Sequence, residues 1–383
     1  MNYIVISNIC LLMLLNISCS NPIKNLENPR NLSEYMIFSI RTEALSSKMS
    51  VSENPKFIAD YHSFPSLVNL STLEGKYFYI TESNTFYKKG NTPSLDFSIS
   101  GRNIIPNDNK TLEMFTLFLL FETAVDYMEK KLNLKAQDML AAFKEHDSSF
   151  RKFEIRYSPI DIDYLTLKGK IKYKDNYQST KGKFSFTKAA TTKGIPSSFN
   201  GLIVFHEFGH ALWDYKLKFN SQDNIFMRGV NEGFADWISY SITGSANILK
   251  ASQYEKKNMN ASELRDFSKF NYTLNDINNM ELCSTTNFIY CIGSLFANAL
   301  YKAKRELKKE NRDLIIQIIF SNLIKFSNNN SSTMTDNGLL KQIRTNLEYF
   351  LKTLSYNEKE TATVTAVTAI KKQMKSNFNI KDE

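Results

Sequence analysis

The sequence predicts an α+β protein whose strands come early in the chain and whose helices come late. Between Phe153 and Lys188, apolar and polar residues alternate with a period of about two, as in strands with one buried face. After Asn200, apolar residues recur at helical spacing. With 383 residues, the chain is long enough for two modest domains or for one enzyme of two lobes. We therefore expect an antiparallel sheet followed by a mainly helical part.

The beginning of the chain has the pattern of an export signal. Residues 1–18 carry no charged side chain, and the apolar run Ile9–Ile17 is too short to span a membrane. The run ends at Ser18-Cys19, which resembles a bacterial lipoprotein cleavage box in which the cysteine becomes lipidated. We expect a signal peptide over 1–18 and a lipid anchor at Cys19, which would hold the protein in the cell envelope. Plain secretion and a retained anchor are the alternatives.

The next part of the chain predicts a tether and then short strands. Residues 19–60 are polar and irregular, which is typical of a tether with a few ordered turns. Residues 61–106 predict a small β-rich region, with strand patterns in Tyr77–Lys89 and Asp96–Ser100.

A long helix is predicted from about Thr111 to Leu132, with its cap in Asn107–Asn109. Its apolar residues cover nearly the whole circumference but are interrupted by acidic ones, so we expect a buried core helix and not a membrane span. This helix belongs to a predicted catalytic lobe over 107–217.

A helical lobe is predicted over 218–383. Gly244 follows one of its helices and is expected to end it as a C-cap. The helical patterns after residue 199, including the last helix of the catalytic lobe, lie at about 200–216, 229–243, 291–308, 312–326, 335–354 and 358–376.

Charge and cysteine content limit the classes of function. The net charge is +9 and the basic residues are scattered, without a recognised nucleic-acid-binding module, so we expect a solvated basic surface and no nucleic-acid partner. Of the four cysteines, Cys283 and Cys291 lie outside the export segment. They form either one short-loop disulfide after export or two buried free thiols.

The pentapeptide His206-Glu-Phe-Gly-His210 has the spacing of a metal site on a helix. His206 and His210 are four residues apart, so their rings project from one face and can bind one ion. Glu207 lies at the rim of that face, where it can accept a proton from water. Two of the chain's 4 His fall in this segment, which makes coincidence a poor explanation.

A hydrolytic zinc site needs three protein ligands and one open position. Position 216 is Lys and position 213 is Trp, which excludes the metzincin pattern. Glu232, about twenty residues after His210, begins a second helical segment and is the expected third ligand. Asp236 follows one turn later on the same face and can accept the free ring N–H of a ligand histidine.

These two segments resemble the gluzincins, the thermolysin-like zinc metallopeptidases. The resemblance covers about Asn107 to Leu307. It implies one catalytic Zn²⁺ held by His206, His210 and Glu232, with Glu207 as general base and Asp236 behind a ligand histidine. It also implies a two-lobed α+β fold with the active site between the lobes.

The resemblance suggests two further residues near the substrate. Arg265 in Leu264-Arg265-Asp266 matches an arginine that thermolysin-like enzymes place near the substrate and its oxyanion. No histidine stands before the helix at Gly293, where these enzymes place one. Tyr290 occupies this stretch and either donates its O–H to the oxyanion or is a packing residue.

The expected function is hydrolysis of protein or peptide substrates by an exported monomer. A Gly-x-Met-Glu-Asn segment, typical of gluzincin aminopeptidases, is absent before His206, which favours an endopeptidase. Lys183–Lys188 is then the expected edge strand that pairs with extended substrate. The alternatives are an exopeptidase and a catalytically inactive lipoprotein that acts in binding or adhesion.

Overall fold

The chain has a mixed α+β fold, with its strands before residue 190 and most of its helices after residue 200. This confirms the predicted α+β fold class. The computed structural model describes residues 32–42, 57–83, 90–158, 176–178, 182–187, 197–218, 225–248, 265–283, 288–324, 338–354 and 360–381. The predicted signal peptide, Cys19, Leu264 and the alternating segment within 159–175 lie outside these ranges.

The described strands form two mixed sheets. One sheet has four strands in the order β2-β1-β7-β6, and the other has six in the order β3-β4-β5-β8-β10-β9. The strands are β1 Met36–Thr42, β2 Phe57–His62, β3 Leu67–Asn69, β4 Glu74–Gly75, β5 Phe78–Glu82, β6 Phe97–Ser100, β7 Asn103–Pro106, β8 Phe153–Ser158, β9 Asn176–Gln178 and β10 Lys183–Thr187.

The prediction of an antiparallel sheet was wrong for the centre of the larger sheet. β5, β8 and β10 run parallel to one another, and β9 is antiparallel to β10. Parallel neighbours need long crossover connections, and two helices lie between β5 and β8 in the chain. The pairing of β5 with β8 also crosses the boundary that we predicted at residue 106.

The alternating pattern of β8 was misleading because its polar face is buried as well. Glu154 and Arg156 are 4% and 5% exposed. The Glu154 carboxylate accepts from Arg156 Nη2 at 3.0 Å, from Lys183 Nζ at 2.9 Å and from Thr81 Oγ1 at 3.0 Å. Burial raises the pKa of Glu154, but the bonds from Lys183 and Arg156 outweigh it and lower the pKa below its ordinary value. These charges are therefore paired inside the fold and not solvated.

The predicted tether contains part of the smaller sheet. β1 lies between β2 and β7, and its residues Ile37, Phe38 and Ser39 are buried. The tether prediction was wrong for these residues because a short apolar strand is easily missed inside a polar stretch.

The first long helix, α1 (Asn109–Lys131), is the core helix that we predicted. The Asp108 carboxylate caps it by accepting from the backbone N–H of Thr111 at 2.7 Å. The Phe121 ring lies 4.8 Å from the Phe184 ring of β10. It lies 6.3 Å from the Phe208 ring of the helix that carries His206 and His210. α1 therefore packs between the larger sheet and the helix that carries the predicted site.

The six helices predicted after residue 199 are present, with their bounds within about four residues of the prediction, whereas the helices Ala136–His146 and Leu274–Asn279 were not predicted. Gly244 ends one of the predicted helices with φ +78°, donating its N–H to Tyr240 O at 2.7 Å, which confirms the predicted C-cap. No helix in the described ranges is both long and apolar enough to cross a membrane. The helices after α1 are α2 Ala136–His146, α3 Gly201–Lys216, α4 Ile225–Thr243, α5 Leu274–Asn279, α6 Phe288–Glu306, α7 Leu314–Asn322, α8 Leu339–Thr353 and α9 Thr361–Asn377.

We expect Arg156→Ala to lower the free energy of unfolding by about 3 kcal/mol, because it leaves the buried Glu154 carboxylate without one of its partners. Urea denaturation measures this change. Lys130→Ala is the matched control, since it removes an exposed i,i+4 pair with Asp126 and should change stability by less than about 1 kcal/mol. Equal effects of the two substitutions would contradict the interpretation that the buried Glu154 carboxylate needs Arg156 as a partner.

Candidate metal centre

The first two candidate ligands lie on α3. Asn200 caps this helix by accepting from the backbone N–H of Leu202 at 3.1 Å. The helix packs its apolar residues into the core and turns His206 and His210 to one side, with ring centroids 4.6 Å apart. The side-chain exposures of these two residues are only 7% and 14%.

The third candidate ligand lies on α4, which packs closely against α3. A Cβ atom added to Gly209 would lie 2.7 Å from the Cα atom of Ala235, so the two backbones approach at a distance that only glycine permits. Glu232, one turn before Asp236 on α4, then reaches the two rings of α3.

Three ligand atoms converge at this crossing. The Nε2 atoms of His206 and His210 are 3.1 Å apart. Glu232 Oε2 is 3.4 Å from His206 Nε2, and Glu232 Oε1 is 3.8 Å from His210 Nε2. One ligand atom from each residue lies within 4.8 Å of the others, so the group can hold a metal ion.

The other nitrogen of each ring is fixed by a hydrogen-bond acceptor. His206 Nδ1 lies 2.8 Å from Asp236 Oδ1, as predicted for the supporting aspartate. His210 Nδ1 lies 2.9 Å from Asn231 Oδ1. When both Nδ1 atoms donate, both Nε2 atoms present lone pairs to the space between the ligands. This arrangement fits a cation at that point.

Asn231 is a supporting residue whose role the sequence did not reveal. It directly precedes Glu232, and the only available signal was an amide side chain next to a proposed ligand. An asparagine in that position is too common in helices to predict the bond without the fold.

A buried acceptor atom also fits a bound cation. Glu232 Oε2 is enclosed and has no well-aligned hydrogen bond within the described part of the chain. A buried carboxylate oxygen without a donor is unfavourable, and a metal ion would satisfy it.

Without a metal, the two rings compete for one proton. Burial lowers the pKa of His206, but its hydrogen bond to Asp236 and its 3.4 Å contact with the Glu232 carboxylate outweigh burial and raise the pKa to about 9. Burial and the neighbouring charge of His206 lower the pKa of His210 to about 4. Burial raises the pKa of Glu232, but its contact with His206 and the nearby positive charges bring the pKa well below its ordinary value. At neutral pH, His206 is thus the charged ring, and the Glu232 carboxylate offsets its charge.

Arg265 lies next to two carboxylates of the candidate site, those of Asp236 and Glu232. Its Nε and Nη2 atoms donate to Asp236 at 3.0 and 2.5 Å, and its Nη1 atom is 3.7 Å from Glu232 Oε2. Burial lowers the pKa of Arg265, but Asp236 and Glu232 outweigh burial and raise it above its ordinary value. The guanidinium lies 5.0 Å from the centroid of the Tyr290 ring. The structure therefore places Arg265 beside Asp236 and the Tyr290 ring against Arg265, while the roles of these two residues toward a substrate oxyanion stay predictions.

The remaining predicted residues have different outcomes. Glu207 is 8% exposed and follows His206 on α3, and its role as a base stays a prediction. Cys283 and Cys291 are bonded in the structure, which decides between the disulfide and the free thiols. The predicted edge strand was wrong, because β10 lies between β8 and β9, and the outermost strands of the described sheet are β3 and β9. β9, at the edge next to β10, contacts α3.

No protein-family model matches the chain and no curated protein is similar to it, so the function has to be inferred from the geometry and chemistry of the site.

We expect Asn231→Ala to weaken Zn²⁺ binding by about 10–100-fold, because the His210 ring loses the acceptor that sets its tautomer and orientation. Competition with a chromophoric chelator measures the affinity. Asn231→Asp is the matched variant, since it keeps an acceptor oxygen and should retain most of the affinity. Equal losses in both variants would show that the bond to His210 does not matter.

In the metal-free protein, we expect the free energy of unfolding to fall as the pH rises from about 6.5 to about 9. The folded chain holds the His206 proton more tightly than the unfolded chain, and this stabilisation is lost as the pH passes the raised pKa of about 9. The lowered pKa of His210 acts in the opposite sense, so stability is also lost as the pH falls from 6.5 towards about 4.

Urea denaturation at pH values that span both pKa values tests this profile. Metal-saturated protein is the control, since the ion occupies the Nε2 lone pair and removes the His206 contribution. A flat profile for metal-free protein between the ordinary and the raised pKa of His206 would contradict the expected proton sharing.

Proposed function

We propose that the protein is a zinc metallopeptidase of the gluzincin type that hydrolyses peptide bonds. The observation that carries the proposal is the convergence of His206, His210 and Glu232, with both ring tautomers fixed by acceptors. Structural zinc sites use four protein ligands, whereas hydrolytic sites use three and leave one position open. Two histidines and one glutamate are a ligand set of the hydrolytic kind.

The distances between ligand atoms support zinc as the ion. Zn–N bonds of about 2.0–2.1 Å in a tetrahedral site separate neighbouring ligand atoms by roughly 3.3 Å. At the crossing of α3 and α4, the two Nε2 atoms are 3.1 Å apart, Glu232 Oε2 is 3.4 Å from His206 Nε2, and the other oxygen, Oε1, is 3.8 Å from His210 Nε2. Little movement would be needed to bring the three residues onto one zinc ion.

In the proposed mechanism, Glu207 is the general base. A zinc ion held here would lower the pKa of bound water and polarise the scissile carbonyl. Glu207 accepts the proton as the water attacks the carbonyl carbon and delivers it to the leaving amine. Asp236 and Asn231 hold the ligand rings so that the site does not have to reorganise during the reaction.

Two side chains are proposed to stabilise the oxyanion. Arg265 carries a buried positive charge within 3.7 Å of Glu232, and the Tyr290 phenol lies beside it. A positive charge or an O–H donor in a water-poor site stabilises the developing negative charge. Tyr290 takes the place of the missing histidine in this proposal.

The wider organisation is proposed to be thermolysin-like, with an α+β lobe before and a helical lobe after the metal centre. The strands and α1 come before α3, and α4 to α9 follow it, which agrees with this order. The predicted lobe boundaries, 107–217 and 218–383, belong to the same proposal.

We further propose an exported monomer that acts on protein or peptide substrates. It would be held at the bacterial cell envelope through lipidated Cys19, or it would be secreted after cleavage of residues 1–18. The formed Cys283–Cys291 bond fits an oxidising compartment. An endopeptidase is favoured over an exopeptidase, and digestion of peptides blocked at both ends separates the two.

We expect Glu207→Gln to retain zinc and to lower the rate of peptide hydrolysis by about 10²–10⁴-fold, because proton transfer is lost while the ligands stay. Elemental analysis and digestion of a peptide library measure the two effects. Glu232→Ala is the companion variant and should lose both zinc and activity.

Three results would contradict the proposal in different ways. Full activity of Glu207→Gln would overturn the mechanism, and unchanged zinc content of Glu232→Ala would place the third ligand elsewhere. Bound zinc without cleavage of any peptide would favour a binding or adhesion protein.

A further inference from the structure

The disulfide between Cys283 and Cys291 lies close to the metal centre. Cys283 ends the short 3-10 turn Glu281–Cys283, and Cys291 lies in the first turn of α6. The two residues are 2% and 0% exposed. The bond therefore fixes the beginning of α6 to the segment that precedes it.

The residues that flank Cys291 contact the helix that carries Glu232. A Cβ atom on Gly293 would lie 2.9 Å from the Gly233 nitrogen and 3.1 Å from Glu232 Cβ. A Cβ atom on Gly229 would lie 2.5 Å from Ile292 Cγ2. The first turn of α6 thus packs directly on the backbone of α4 at the third ligand.

A second connection runs through Tyr290, the residue before Cys291. Its ring packs against the Arg265 guanidinium, whose central carbon is 5.0 Å from the ring centroid. Arg265 donates to Asp236, and Asp236 lies 2.8 Å from His206 Nδ1. The same turn of α6 therefore contacts the supports of two ligands, Glu232 and His206.

We propose that the Cys283–Cys291 disulfide is a positioning element of the metal centre, so that the oxidised chain binds zinc more tightly than the reduced chain. The inference rests on the proposed function and deepens it. Cross-linking the two segments limits the positions open to the first turn of α6. Without the bond, Tyr290 and Gly293 are held by packing alone, and the ligands lose part of their preorganisation.

Opening or closing the Cys283–Cys291 disulfide is a two-electron exchange. A dithiol reductant gives two electrons and two protons to the sulfur–sulfur bond, which becomes two thiols, while the reductant closes to its own disulfide. In an oxidising compartment the exchange runs the other way: the disulfide of an oxidised partner takes two electrons and two protons from the two thiols, the Cys283–Cys291 bond closes, and the partner becomes a dithiol. The peptidase would therefore bind zinc weakly where the chain is made and tightly after export.

The test compares the oxidised chain with Cys283→Ala/Cys291→Ala. Zinc affinity is measured by competition with a chromophoric chelator, and the ligand geometry by the visible absorption of the Co²⁺-loaded site. We expect zinc binding about 10–100-fold weaker in the double variant, with a changed Co²⁺ spectrum and unchanged far-UV circular dichroism. Leu347→Ala in α8 is the control for lowered stability alone, and it should lower the melting temperature without changing zinc affinity.

Tyr290 variants test the proposed connection. Tyr290→Ala should reproduce part of the loss of zinc affinity with the disulfide intact, whereas Tyr290→Phe keeps the ring over Arg265 and should bind zinc normally. Combining Tyr290→Ala with the cysteine variant should add less than the sum of the two effects. If the double cysteine variant does not fold, the zinc affinity of Tyr290→Ala alone tests the inference. An unchanged zinc affinity in that variant overturns it.

The failure of this inference differs from the failure of the proposed function. Tight zinc binding that survives loss of the disulfide overturns the positioning role and leaves the peptidase proposal standing. Absence of zinc binding in the oxidised chain overturns both.

Discussion

The candidate metal centre depends on the close approach of three helix backbones. Gly209 of α3 lies against Ala235 of α4, and Gly233 of α4 lies against Gly293 of α6. A Cβ atom on Gly233 would be 2.4 Å from the Gly293 carbonyl oxygen, so any side chain there would force the helices apart. Because ligands on two helices must meet within a few ångströms, the distance between the backbones determines whether the site exists.

The buried charges at this crossing are balanced in two alternative ways. Glu232, Asp236 and Arg265 leave one net negative charge, which the proton on His206 neutralises in the metal-free protein. When a divalent ion replaces that proton, the cluster gains one positive charge, and an ionised Glu207 would neutralise it. Buried charges are stable only when paired, so both states of the site are electrostatically acceptable. The same residues can therefore support a folded metal-free chain and a metal-loaded one.

The pairs of candidate residues within each helix could be predicted from the sequence because a helix fixes their relative position locally. Residues four apart share a face, which made His206 and His210 a pair and placed Asp236 next to Glu232. Asn231 could not be assigned in this way, since its bond to His210 depends on how α4 crosses α3. The sheet order was also beyond the sequence. An alternating strand such as β8 looks the same whether its polar face meets water or, as at Glu154 and Arg156, a buried ion pair.

The position of Arg265 would allow one side chain to support a candidate ligand and to act in the proposed oxyanion stabilisation. A guanidinium has five N–H donors, and Asp236 engages those on Nε and Nη2. The Nη1 atom is 3.7 Å from Glu232 Oε2, beyond hydrogen-bond distance, and faces the ligand side of the cluster. Lysine could supply the charge but not this fork, because its donors all lie on one nitrogen and cannot match the two oxygens of Asp236 as the planar guanidinium does. The arginine thus links the orientation of His206 to the charge that the proposed oxyanion requires.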